Sequence, residues 1–120
     1  MEKPNLIAWV EIPAKDLNRA VDFYSTLLKT SFQVADYGSE KMACFPGGEG
    51  AIIEASGYES SSQGVIVSLT ATYDLDTSLE LIKRSGGKVV VPKTKIEADN
   101  RDYFAIFIDT EGNRLGLYGK

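Results

Sequence analysis

The strongest constraint on this chain is that its second half restates its first. Asp16 stands where a helix N-cap would stand, and Leu17, Ala20, Val21 and Tyr24 follow at the spacing of one buried helical stripe. The pattern returns 58 positions later (Leu17 to Leu75), where Asp74 leads into Leu75, Ser78, Leu79 and Ile82. One apolar, strand-like run precedes each cap, over 7–12 and over 64–72. Three more follow each helix, at 31–36, 41–45 and 51–55, then at 88–92, 103–108 and 114–118. Gly-rich turns separate them. The predicted order is βαβββ twice, in modules spanning about 5–57 and about 64–120, with Ser60-Ser61-Ser62 inside the linker. A chain of 120 residues has the length of one domain, 1–120, so the two copies belong to it together.

Composition narrows the chemistry further. The chain has no histidine and one cysteine, Cys44. That excludes Ser-His-Asp and Cys-His nucleophile systems, imidazole metal sites and a thiolate cage. Thirteen basic against seventeen acidic residues give a net charge of −4, which disfavours nucleic acid as a partner. No apolar run approaches the roughly 20 residues of a membrane span. Met1-Glu2-Lys3-Pro4 leads into no signal-peptide core. A lone cysteine asks for no oxidising compartment, so the expected location is cytoplasmic, away from membranes.

Several motifs carry a family likeness. Glu11-Ile12-Pro13 is followed by Asp16-Leu17-Asn18-Arg19-Ala20 and by Phe23-Tyr24; Gly86-Gly87-Lys88-Val89-Val90 and Asp109-Thr110-Glu111-Gly112-Asn113-Arg114-Leu115 stand in the second half. In this order and spacing they resemble the glyoxalase/bleomycin resistance protein/dioxygenase, or vicinal oxygen chelate, superfamily. The resemblance implies an α+β fold in which tandem βαβββ modules form a cupped, mostly antiparallel mixed sheet with helices on its outer face. It also implies a homodimer. Active relatives hold a divalent metal in the cup through His and Glu, and the family includes lyases, isomerases, dioxygenases and drug-sequestering proteins. The matching positions here are Trp9, Val67 and Gly116, none of which ligates a metal, and the fourth falls on 51–55, where Glu54 is the candidate. The expectation is therefore a lost metal site and no cofactor.

Strand alternation, anchored by the family likeness, predicts what fills the cup instead. Trp9 and Glu11 share one face, as do Val65, Val67 and Leu69, and as do Arg114, Gly116 and Tyr118. The expected ligand-binding set is Trp9, Glu11, Val67, Leu69, Tyr103, Arg114 and Tyr118, an apolar wall with a few polar handles. Trp9 is either a stacking platform or cavity filler. Glu11 is either a general base or ligand anchor, or else an ion-pair partner of Arg114 or a solvated group at the mouth. Tyr24 is expected in the core, Cys44 buried and inert, and the loop Glu97 to Asp102 at the rim. Three functions stay open on these residues. The first is metal-independent binding of a small, partly aromatic molecule. The second is a metal-free isomerase or lyase using Glu11 as base, with Arg114 or Tyr118 as oxyanion stabiliser. The third is a non-catalytic dimeric module with a filled cup.

Overall fold

The computed structural model describes residues 6–98 and 102–120. Asp99, Asn100 and Arg101 of the expected rim loop, and residues 1–5, lie outside the described residues. The elements run β1 (Val10–Pro13), α1 (Leu17–Leu28), β2 (Gln33–Asp36), β3 (Glu40–Cys44), β4 (Gly50–Ala55), β5 (Ser68–Thr70), α2 (Leu75–Arg84), β6 (Lys88–Lys95), β7 (Tyr103–Ile108) and β8 (Arg114–Gly119). The βαβββ order predicted for each half is present. Each module forms a four-stranded mixed sheet, ordered β1-β4-β3-β2 and β5-β8-β7-β6. Its first strand pairs parallel to its last and the other pairs are antiparallel. The architecture is the expected α+β one. Among the described residues no helix is long and apolar enough to cross a membrane.

Local chemistry sets the helix limits. The Asp16 carboxylate accepts the Arg19 N–H, and Asp74 accepts the Thr77 N–H, so each helix begins on a satisfied donor. α2 buries Leu75, Ser78, Leu79 and Ile82, the stripe read from the sequence. α1 buries Leu17, Ala20, Phe23, Tyr24 and Leu27, while Val21 sits half-buried at the margin. Gly86, with φ +96°, takes the left-handed conformation just beyond the end of α2, which an L side chain resists. Both helices pack on one side of the sheets. Ile12, Ala43, Ile52, Ala105, Phe107, Leu115 and Leu117 face them in one shared core. β4 is buried on both faces, with Ile52 turned to the helices and Ala51 and Ile53 turned the other way.

A polar clamp from the turn before β8 ties the two modules together. Tyr24, 1% exposed, donates its hydroxyl to Asp109 Oδ2 at 2.6 Å. Asp109 Oδ1 accepts the N–H groups of Glu111 and Asn113 at 2.8 and 2.9 Å. Asn113 Nδ2 donates to the Pro13 carbonyl at 2.6 Å, and the Glu111 carboxylate reaches the β1–α1 loop. There Oε1 accepts the Lys15 and Asp16 N–H groups, each at 2.8 Å. Arg19 closes a two-pronged fork on the same carboxylate at 2.7 and 3.0 Å. Burial alone would raise the Glu111 pKa. The Arg19 hydrogen bond, the Asp16 amide and the Thr110 hydroxyl outweigh it and hold the group at about 2. Burial, and then the Asp109 carboxylate, push the Tyr24 phenol well above its ordinary value. Tyr24 is thus a core residue with a structural hydrogen bond.

Candidate functional site

The site follows from where β1, the linker and β8 meet. The linker returns from β4 to β5 along the start of β8: the Ser61 N–H donates to Asn113 Oδ1 at 3.1 Å, and the Arg114 N–H donates to the Ser61 carbonyl at 3.3 Å. Between the linker and the two strands lies a cavity of about 170 Å³. β1 supplies Glu11, Ile12 and Pro13, β8 with its preceding turn supplies Asn113, Arg114 and Leu115, and the linker supplies Glu59, Ser61, Gln63, Val65 and Val67. A roomier cleft of about 640 Å³ lies beside the β1–α1 loop and shares only Glu59 with it.

Three of the expected ligand-binding residues, Glu11, Val67 and Arg114, are brought together in this cavity. Glu11 and Arg114 form no ion pair with each other among the described residues. Tyr118 is 40% exposed, on the face of β8 away from the helices, with its ring 6.5 Å from that of Phe104. Trp9 precedes the first regular strand, is 44% exposed and does not line the cavity. Cys44 is half-buried at the end of β3.

Two facings require correction. Leu69 pairs with Leu117 and packs against the helix-side core, not into the cup. Tyr103 likewise packs against that core, with the ammonium groups of Lys93 and Lys95 at 4.5 and 5.2 Å from its ring centre. The cause at Leu69 is a single residue. The core-facing Ile12 stands four positions before the cap Asp16, but the core-facing Leu69 stands five before Asp74. The offset that superposes the helices is therefore one too long for the first strands, and one step along a strand turns every side chain over. In register, Ser68 and Gly116 are the facing pair on the cup side. A Cβ at Gly116 would collide with Ser68 Oγ, so a side chain there requires the exposed Ser68 hydroxyl to rotate away.

The donor set is poor in metal ligands. Glu54 turns to the helix side, where Oε1 accepts the Leu17 N–H at 2.8 Å at the start of α1. Among the described residues no group of three or more His, Cys, Asp or Glu is placed to hold a metal ion. Sequence reasoning missed the linker. Glu59, Ser61 and Gln63 form part of the cavity wall, yet a Ser- and Gly-rich stretch carries no periodicity that would have placed them.

Comparison with known proteins agrees with this architecture. A family model described as the glyoxalase/bleomycin resistance protein/dioxygenase superfamily matches residues 6–117. A glyoxylase-like domain-containing protein of Didymella fabae is 32% identical over 114 residues, covering 89% of this chain and 88% of that protein. Among solved structures, the genomically encoded fosfomycin resistance protein FosX of Listeria monocytogenes superposes with a TM-score of 0.71 at 15% identity, over 98% of this chain and 93% of that one. Glyoxalase I of Zea mays superposes with a TM-score of 0.67 at 18% identity, over 93% of this chain and 45% of that one. At such identities the structural likeness speaks to the fold alone.

Proposed function

The chain belongs to the glyoxalase/bleomycin resistance protein/dioxygenase superfamily, and from that premise we propose that it binds one small, partly aromatic molecule in its cup without a metal ion. The observation that carries the reading is the cavity beneath the linker, where Glu11 and Arg114 offer polar handles beside Val65 and Val67. Its size, about 170 Å³, suits a single ring, since an apolar cavity of about 150 Å³ is enough to take up benzene. The residues do not fit the family's divalent ion. Trp9, Gly116 and both Val67 and Ile66, the latter in register with Trp9, carry no ligating side-chain atom, and the Glu54 carboxylate is engaged by a helix N–H. Sequestration needs no catalytic group, which suits a chain without histidine. The protein is read as cytoplasmic and as a homodimer, the dimer being supported by the exposed Leu6, Ile7 and Trp9 that precede β1.

A second reading is favoured by one specific placement. Glu11 shares the cavity with Arg114, so a base and a cationic stabiliser meet one ligand there, as a metal-free isomerase or lyase requires. Deuterium exchange from a bound carbonyl compound that disappears in Glu11→Gln would support catalysis over sequestration.

Thermal melting against a panel of one-ring aromatic and dicarbonyl compounds tests the binding reading. A ligand at 100 times its dissociation constant adds about 2.7 kcal/mol to stability. The expected result is a raised midpoint with an aromatic compound and no response to EDTA. A midpoint lowered by EDTA and restored by zinc or nickel would return the metal to the site and overturn the reading.

A further inference from the structure

The charges around the cavity define a ligand class. Glu11 enters from β1, Glu59 from the linker and Arg114 from β8, and among the described residues none of these side chains forms an ion pair with another protein group. Two carboxylates and one guanidinium, all on exposed residues, therefore line one space without pairing with one another, and Glu59 stands where that space meets the larger cleft. A neutral ligand leaves all three to solvent. A simple anion meets Arg114 but faces two like charges, which disfavours it. A molecule carrying both an ammonium and a carboxylate matches the pattern, with its cation toward the two glutamates and its anion toward the guanidinium fork. The volume, about six times the share of one water in the liquid, matches an amino acid with at most one ring.

We infer that the cavity beneath the linker selects a small zwitterion of amino-acid size, its ammonium held between Glu11 and Glu59 and its carboxylate by Arg114. The inference rests on the small-molecule reading of the preceding subsection and adds to it a charge requirement and a role for the linker. Glu59 is its specificity residue. That side chain belongs to no strand, so the connection between the modules, as well as the sheets, decides what enters.

Four one-ring probes separate the terms: phenylglycine, benzylamine, benzoate and benzyl alcohol, titrated calorimetrically into the full chain at low salt. The expected order of affinity is phenylglycine, then benzylamine, then benzyl alcohol, with benzoate last. Glu59→Gln, a change at an exposed linker position, should weaken phenylglycine by roughly threefold to fivefold, the scale of one solvent-accessible charge pair. Benzoate binding as tightly as benzylamine would overturn the charge assignment while leaving the cavity as a ligand site. Benzyl alcohol binding as tightly as phenylglycine would have the same meaning. Failure of all four at millimolar concentration would overturn the inference together with the small-molecule reading.

Discussion

Replacing Glu111 by Gln tests the clamp that joins the modules. The side chain is 2% exposed and keeps its length in the variant, so packing changes little. The charge that Arg19 and the Lys15 and Asp16 amides share is removed. A carboxyl held at about 2 in the folded chain and at 4.5 in the unfolded one contributes about 3 kcal/mol at neutral pH. The folded pKa is depressed, so this contribution is complete above the unfolded value and is lost as pH falls toward 2. Urea unfolding of the wild type and of Glu111→Gln should therefore differ by up to about 3 kcal/mol between pH 6 and 7. The gap should narrow steadily below about pH 4.5. Arg19→Met should cost less than Glu111→Gln, because its side chain is half exposed and the two amides remain on the carboxylate. A Glu111→Gln variant as stable as the wild type, or a gap that does not change in acid, would refute the electrostatic account of the clamp.

Other expectations follow from single contacts. Tyr24→Phe should cost about 1.5–3 kcal/mol in chemical denaturation, since the lost hydroxyl serves a buried carboxylate; a loss below half a kcal/mol would place no weight on that bond. Leu69→Ala should lower stability by about 1–2 kcal/mol and leave ligand binding intact, whereas Val67→Ala should weaken binding more than folding. The opposite partition would restore Leu69 to the cup. The double variant Trp9→His with Gly116→Glu should take up no stoichiometric zinc or nickel in metal analysis, because neither Val67 nor Ile66 supplies a ligand and a side chain at 116 must displace Ser68 Oγ. Tight one-to-one uptake would show that the metal positions are misplaced.

The parts of the fold legible in the sequence are those fixed by near neighbours. Asp16 and Asp74 cap helices through N–H groups three residues away, and the stripe of α2 repeats with the turn of its own helix. The facing of β5 was not legible in this way. Whether Leu69 meets the core or the cup depends on one additional residue between strand and cap, which no periodicity marks. The clamp was hidden for a different reason. Nothing near Glu111 in the sequence marks it as buried, and partners 92 to 96 positions upstream make it so. Half of the site was similarly obscured. Glu11 and Arg114 stood out as charges on apolar strands, but Glu59 and Gln63 acquire meaning only from the path of the linker over the strands.

The reach of the Glu111 clamp also bears on how the chain is made. During synthesis the first module emerges with Tyr24, Arg19 and the Lys15 and Asp16 amides awaiting partners encoded 85 to 96 residues later. Until the turn before β8 leaves the ribosome, Tyr24 and Arg19 lack the carboxylates they bind in the finished fold and one wall of the cavity does not exist. The nascent first module is then a half-core with an open apolar side, at risk of meeting another unfinished copy. Arrival of β8 and the turn before it closes both at once. The cavity is thus among the later features to form, and its presence reports that both modules have been translated and folded together.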